Sequence, residues 1–142
     1  MTSNPFIDKR LELRYLPEIS GWGVFSSEFI KEGELIEMSP VIEMPKQLVD
    51  IAIWSCQAEG IPNKDLMLDQ YCIRWGDKMA CPLGWVGLYN HSDNNNAMFV
   101  GEHEKNLIGI LTIKAINPGQ QVLVYYSDTW FSEKGYISKV DF

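Results

Sequence analysis

The sequence predicts a mainly β domain with one or two short helices, and two features of its patterning support this. Many short runs of alternating or continuous apolar residues are separated by turns that contain glycine, proline or asparagine, which is typical of small paired strands. Helical periodicity is convincing in one segment, so the regular alternation of strands and helices that builds a parallel sheet is missing. With 142 residues, the chain is long enough for one domain with its own core.

The first part of the chain predicts four short strands joined by turns. Residues 11–15 alternate apolar and polar side chains, as a half-buried strand does. Residues 21–25 place two glycines around a tryptophan at the start of a second strand, where glycine lets the backbone approach a ligand closely. Such a glycine pair is also common in simple turns. Residues 30–37 predict a turn and a strand, and residues 41–44 a further strand after Pro40.

A helix is predicted after Pro45 and ends before Gly60. One face consists of small or apolar residues at helical spacing: Leu48, Ile51, Ala52, Ser55 and Cys56. Further apolar residues extend around the helix: Val49, Ile53 and Trp54. This width predicts that the helix is buried on more than one side.

The second part of the chain predicts extended segments at residues 66–75, 97–100, 107–114 and 122–126. Asn117-Pro118-Gly119 provides the turn before the last of these. The tail, residues 127–142, contains Trp130, Phe131, Tyr136 and Phe142. This aromatic content predicts a flap that packs back onto the domain.

Composition excludes several classes of function. A net charge of −7 argues against binding of nucleic acid through phosphate contacts and is compatible with a basic protein partner. Three cysteines without a Cys-x-x-Cys pair argue against structural zinc and a disulfide framework. No apolar leader or long apolar run is present, so neither secretion nor a membrane span is expected. We therefore expect a cytoplasmic or host-intracellular protein with reduced thiols.

The stretch from Gly87 to Ala97 is the most informative part of the chain. Its centre, Asn90-His91-Ser92-Asp93-Asn94-Asn95-Asn96, is polar throughout and follows an apolar approach. Such residues either line a polar pocket, in which each group needs a hydrogen-bond partner, or form a surface turn. Composition alone favours the surface turn, because loops far outnumber ligand pockets.

Taken in order, four sets of motifs resemble the SET domain of protein-lysine methyltransferases. They are Gly21-Trp22-Gly23-Val24-Phe25 with the continuation Ile30-Lys31-Glu32-Gly33-Glu34-Leu35-Ile36, then Asn90-His91-Ser92, then Asn96-Ala97, and finally Ile113 to Gly119 followed by Tyr126. The resemblance covers a core of about residues 11–131. It implies a single SET domain over residues 1–142, with the β-clip fold of several small curved sheets and a pseudoknot-like C-terminal threading.

The chain also departs from the family pattern. Asp93 stands in place of the cysteine after Asn-His-Ser, and Asn95 in place of a proline. Gln120-Gln121 replaces an acidic pair, and Leu123-Val124-Tyr125 replaces Thr-Tyr-Asp. Neither flanking zinc-binding cysteine cluster is present. The chain is similar to minimal viral or bacterial versions of the domain, in which the aromatic tail would replace the missing C-terminal segment.

The resemblance implies methyl transfer from S-adenosylmethionine to a lysine side chain of a protein, with S-adenosylhomocysteine as product and no metal. The implied cofactor-binding residues are Gly21, Trp22, Gly23, Asn90, His91 and Trp130. For the His91 side chain a structural role is favoured, with the backbone contacting adenine. Trp130 would stack on adenine, and packing in the core is the alternative, only slightly less favoured.

Tyr126 matches the catalytic tyrosine, whose hydroxyl would orient the amine. Tyr71 matches, more loosely, a tyrosine of the substrate channel. A regular strand would turn Tyr125 to the face opposite Tyr126. The implied partner is a lysine-containing protein, basic in character, with no nucleic acid or membrane, and a homodimer is left open. The alternative is a non-catalytic SET-like module that binds a peptide or the cofactor.

Overall fold

The computed structural model describes residues 4–60 and 72–126. Within these residues the elements, in chain order, are β1 (Phe6–Ile7), β2 (Leu11–Leu16), β3 (Gly21–Ser26), β4 (Leu35–Met44), α1 (Lys46–Ala58), β5 (Ile73–Trp75), β6 (Lys78–Pro82), β7 (Asn90–His91), β8 (Ala97–Glu102), β9 (Leu107–Thr112) and β10 (Leu123–Val124). Short 3₁₀ turns occupy Pro17–Ile19, Val86–Leu88 and His103–Lys105. The predicted fold class, mainly β with a short helix, is confirmed.

Two compact units divide the chain, and the first comprises Met1–Pro40 and Leu83–Tyr126. In this unit β2 and β3 form an antiparallel hairpin, and β4 up to Pro40 pairs antiparallel with β9, which pairs with β8. The strands β7 and β10 pair in parallel. The strands of this unit contribute buried side chains to an aliphatic core that includes Val24, Ile36, Ile108, Ile110 and Val124. Burial of this apolar surface is the main stabilising contribution to the unit.

The second unit is described over residues 41–60 and 72–82. Here β4 from Val41 onward pairs antiparallel with β6, and β6 pairs with β5. Helix α1 follows β4 directly. Cys72 and Met79 are buried together, with Met44 packed against them. The second unit therefore has a small core of its own.

β4 is one continuous strand, so the predicted division at Pro40 is wrong. The strand pairs with β9 up to Pro40 and with β6 from Val41. Proline has no N–H to donate, which is tolerated where a strand changes its partner. Its carbonyl is still used, because it accepts a hydrogen bond from the Leu83 N–H at 2.9 Å.

Helix α1 is confirmed close to its predicted bounds, but its predicted burial is wrong. Leu48, Ile51 and Trp54 are 56%, 60% and 69% exposed. Of the side chains in α1 that the structure describes, the half-buried ones are the shorter Ala52 and Cys56, and these cover a narrow face. In the described parts of the chain, no helix is both long enough and apolar enough to cross a bilayer.

The last strand is shorter than predicted, because its residues hydrogen-bond to three different partners in succession. Val122 N–H donates to the carbonyl of Val24 in β3 at 2.8 Å. Leu123 and Val124 then form β10 beside β7. Tyr126 N–H donates to a side chain, the Nδ1 atom of His91, at 3.0 Å. The predictions for residues 66–71 and for the aromatic tail lie outside the described residues.

Asn96 holds the C-terminal segment in place with both ends of its amide. Its Oδ1 accepts from the Leu123 N–H at 2.8 Å, and its Nδ2 donates to the Gln121 carbonyl at 3.0 Å. The backbone N–H of Asn96 also donates to the Leu123 carbonyl at 3.0 Å. These bonds satisfy backbone groups that a two-residue strand leaves unpaired.

Replacing Asn96 with alanine is expected to lower the free energy of unfolding by about 1–3 kcal/mol, because the Leu123 N–H and the Gln121 carbonyl lose their partners. Urea denaturation measures the change. Asn94→Ala is the matched control, since its amide bonds to Lys114 at an exposed position and its loss should cost no more than about 0.5 kcal/mol. Equal effects of the two substitutions would contradict the role given to Asn96.

Candidate active site

The site begins where β3, β7 and the segment before β10 meet in the first unit. Asn90, the first residue of β7, donates from Nδ2 to the Trp22 carbonyl at 3.1 Å and to the Gln121 Oε1 at 2.7 Å. Both hydrogens of this amide nitrogen are therefore used inside the protein. Within the described residues no group donates to its Oδ1. That half-buried oxygen is left as an acceptor for a ligand.

Gly23 lies against the side-chain amides of Asn90 and Gln121. A Cβ at this position would come within 2.6 Å of Gln121 Oε1 and 2.9 Å of Leu16 Cδ1. Both distances are too short for real atoms, so a side chain here would displace Gln121 from Asn90. Gly21 is different, because a Cβ there would make ordinary contacts of 3.8 Å with Ile19. An added methyl group would therefore displace two side-chain ends at Gly23, whereas at Gly21 it has room.

The glutamine pair that replaces the family's acidic residues keeps an acceptor role. Gln121 Oε1 accepts from Asn90, and Gln120 Oε1 accepts from the Asn117 N–H at 2.7 Å. An amide oxygen can take the same hydrogen bonds as a carboxylate oxygen, without a buried charge. The replacement of the acidic pair by glutamines therefore keeps an acceptor for Asn90 and for the Asn117 N–H.

His91 connects β7 to the end of the C-terminal segment. Its Nδ1 accepts from the Tyr126 N–H at 3.0 Å, which places the ring proton of the neutral imidazole on Nε2. Nε2 lies 3.3 Å from Asp93 Oδ1. The rings of Tyr125 and Tyr126 both lie beside the imidazole, with centroid distances of 5.0 and 5.4 Å. The regular alternation expected to separate the two tyrosines is absent, because β10 ends at Val124.

The hydroxyl of Tyr126 is held by the backbone next to Asn90. It donates to the Tyr89 carbonyl at 2.5 Å, and its ring centroid lies 6.3 Å from that of Phe99. Since the proton is directed at Tyr89, the lone pairs of the hydroxyl oxygen can accept from another group. Tyr126 therefore has a fixed hydroxyl at the edge of the same region as Asn90.

A buried carboxylate behind Tyr89 was missed from the sequence. Glu37 in β4 is fully buried, and its Oε1 accepts from the Tyr89 hydroxyl at 2.8 Å. Its Oε2 accepts from the Ser39 hydroxyl at 2.6 Å and from the Trp85 N–H at 2.8 Å. Burial raises the pKa of Glu37, and burial together with the nearby carboxylate raises the pKa of Tyr89 well above its usual value.

The sequence contains one signal for this cluster. Glu37 stands directly between the apolar residues Ile36 and Met38, a position that a solvated acid rarely takes. In the structure, Gly84 lies against the same carboxylate: its φ is left-handed at +65°, and a Cβ there would lie 2.5 Å from Glu37 Oε2.

The structure thus brings together most of the predicted site residues. Trp22, Gly23 and Asn90 share one cluster, and His91 and Tyr126 share the next. Gly21 lies at the start of β3, paired with Leu16 across the hairpin. Tyr71 and Trp130 lie outside the described residues. Among the residues that are described, no group of three histidine, cysteine or acidic side chains is placed to hold a metal ion.

Comparison with known proteins agrees with this arrangement. The SET domain family matches residues 21–127. The histone-lysine N-methyltransferase of Schizosaccharomyces pombe that is specific for H3 lysine-37 is 27% identical over 132 residues, which cover 92% of this chain and 82% of that protein. A crystal structure of a candidate histone methyltransferase from Plasmodium falciparum is similar with a TM-score of 0.63 and 27% identity, over 88% of this chain and 99% of that one.

The family match extends over most of the chain. It includes Trp22, Gly23, Asn90, His91 and Tyr126. The chain therefore belongs to the SET domain family, and its activity is that of a protein-lysine methyltransferase. Enzymes of this family generally use S-adenosylmethionine as methyl donor.

Gly23→Ala is expected to lower the free energy of unfolding by about 1–3 kcal/mol, because the new methyl group breaks the bond between Gln121 and Asn90 and overpacks Leu16. Thermal or urea unfolding reports the change. Gly21→Ala serves as control and should be nearly neutral, since its Cβ has room. A stable Gly23→Ala protein with its Asn90 contacts intact would contradict the packing argument.

Proposed function

We propose that this protein transfers a methyl group from S-adenosylmethionine to the ε-amine of a lysine in a basic protein, with Tyr126 as the catalytic residue. The observation that carries the proposal is the meeting of Asn90 and Tyr126 through His91. Asn90 offers an oxygen to which no described residue donates, and its neighbour His91 accepts the backbone N–H of Tyr126. Residues distant in the chain are thereby placed on one small region of the surface.

The residues around Asn90 fit the amino-acid portion of this cofactor. Asn90 Oδ1 would accept from its ammonium group, since both Nδ2 hydrogens are already bound by the protein. The backbone at Gly21, Trp22 and Gly23, with His91, would hold the remainder. S-adenosylmethionine supplies an activated methyl group on a sulfonium, so the protein's contribution is orientation and the exclusion of water.

Tyr126 fits an orienting role toward the lysine amine. Its proton is held by the Tyr89 carbonyl, so its oxygen can accept a hydrogen bond from the incoming amine. A fixed acceptor of this kind aligns the nitrogen without having to remove a proton. The stack of Trp130 on adenine and the place of Tyr71 in the substrate channel stay predictions, because both residues lie outside the described ranges.

The substrate we propose is a basic, histone-like protein. The related yeast enzyme is named for a lysine of histone H3, and the similar Plasmodium structure for histone methylation. The net charge of −7 supports attraction of a lysine-rich partner at low salt and offers no support for direct binding to nucleic acid.

We also propose that the whole chain acts as one SET domain inside the cell. The family match runs through residues of both compact units. All three cysteines are free thiols, which fits a reducing compartment.

The function is tested by incubating the protein with methyl-labelled S-adenosylmethionine and a panel of basic proteins that includes core histones, followed by mass spectrometry of modified lysines. Tyr126→Phe is expected to reduce transfer by at least about 100-fold, since the oxygen that orients the amine is gone. Tyr125→Phe is the matched control and should retain most of the activity. Transfer by Tyr126→Phe at the wild-type rate would remove Tyr126 from the mechanism.

Asn90→Ala is expected to weaken S-adenosylmethionine binding by about 10-fold or more, because a polar group of the ligand loses its acceptor. Isothermal titration calorimetry measures the affinity. Asn94→Ala is the control and should leave the affinity unchanged, since it removes an exposed amide of the same stretch that bonds to Lys114. Wild-type protein that binds the cofactor but modifies no lysine in any protein of the panel would favour the non-catalytic module instead.

A further inference from the structure

The carboxylate of Glu37 has no part in the function proposed above, yet both of its oxygens accept hydrogen bonds from the protein. It is fully buried in the first unit and accepts from the hydroxyls of Ser39 and Tyr89 and from the N–H of Trp85. A buried acid is costly unless each of its oxygens has partners. An apolar residue at this position in β4 would fill the core at lower cost, so the acid calls for an explanation.

Tyr89 links this carboxylate to the catalytic residue. Its ring is fully buried and its hydroxyl donates to Glu37 Oε1 at 2.8 Å. Its own carbonyl accepts the Tyr126 hydroxyl at 2.5 Å. One residue thus joins Glu37, through its side chain, to Tyr126, through its backbone.

We propose that Glu37 and Tyr89 act as a positioning pair, which fixes the direction of the Tyr89 carbonyl and through it the orientation of the Tyr126 hydroxyl. This inference rests on the function proposed for Tyr126. It adds two residues that act on the reaction through Tyr126 and do not touch the substrate.

The geometry supports a positioning role because the carboxylate holds both ends of the same short segment. The Trp85 N–H binds Glu37 Oε2 at the start of the segment, and the Tyr89 hydroxyl binds Oε1 at its end. The 3₁₀ turn Val86–Leu88 lies between them. With both ends attached to one rigid group, the peptide plane that carries the Tyr89 carbonyl has little freedom to rotate.

The approach of Gly84 to Glu37 adds to this constraint. Gly84 adopts a left-handed φ of +65° directly before Trp85, where a Cβ would lie 2.5 Å from Glu37 Oε2. Because Gly84 has no side chain, its backbone can lie against the carboxylate of Glu37. A hydroxyl held by this carbonyl keeps its lone pairs in one direction, which is the requirement for aligning an amine.

The test compares Tyr89→Phe, which removes the link to Glu37, with Ser39→Ala, which removes a different hydrogen bond to the same carboxylate. Tyr89→Phe is expected to lower kcat about 10-fold, while KM for the protein substrate and the Kd for S-adenosylmethionine change less than about twofold. Ser39→Ala should leave kcat within about twofold of wild type. Glu37→Gln, which keeps an acceptor oxygen for Tyr89, should restore part of the rate lost in Glu37→Ala.

A second readout does not depend on activity. In protein labelled with ¹³C at the tyrosine Cζ atoms, the Tyr126 resonance reports the hydrogen bond of its hydroxyl. Tyr89→Phe should shift this resonance and Ser39→Ala should leave it in place. An unchanged resonance and an unchanged kcat in folded Tyr89→Phe would overturn the proposal. If wild-type protein transfers no methyl group, the proposed function fails, and the resonance alone then decides whether the pair positions Tyr126.

Discussion

The parallel pairing of β7 with β10 is the contact on which the candidate site depends. Each strand has only two residues, so the pairing by itself is weak, and side chains reinforce it from both sides. Asn96 binds the segment before and within β10, and His91 accepts from the N–H of Tyr126, two residues beyond it. The cofactor-binding and catalytic residues predicted from the motifs are the neighbours of these bonds. The site is therefore built from the same interactions that hold the C-terminal segment.

The departures from the family pattern have local explanations in this structure. Gln120 and Gln121 offer amide oxygens where acids are usual, and both accept a hydrogen bond. Tyr125 stands in place of an aspartate and packs beside the imidazole of His91. Neutral and aromatic groups thus occupy positions that carry charge elsewhere in the family.

Much of the fold followed from the sequence, because β2 alternates apolar and polar residues and β8 and β9 are largely apolar runs. β2, β8, β9 and α1 were predicted close to their bounds, since their patterns extend over several residues. β1, β6 and β7 were missed, because two to five residues give too little periodicity. The motifs identified Asn90 and Tyr126 but not Glu37 or Gln121. Their roles depend on pairing between distant segments, which local pattern does not specify.

The bonds that Asn96 makes to Gln121 and Leu123 have a consequence for how the protein is made. During synthesis the ribosome produces the Asn90 region well before the residues that pair with it, and contacts between distant segments form slowly. Until residues 119–126 leave the exit tunnel, the polar face of β7 and the edge of β3 have no partners. Unpaired strand edges of this kind are where wrong pairings form. The order in which the chain is made therefore leaves the candidate site incomplete until the segment that contains β10 has been synthesised.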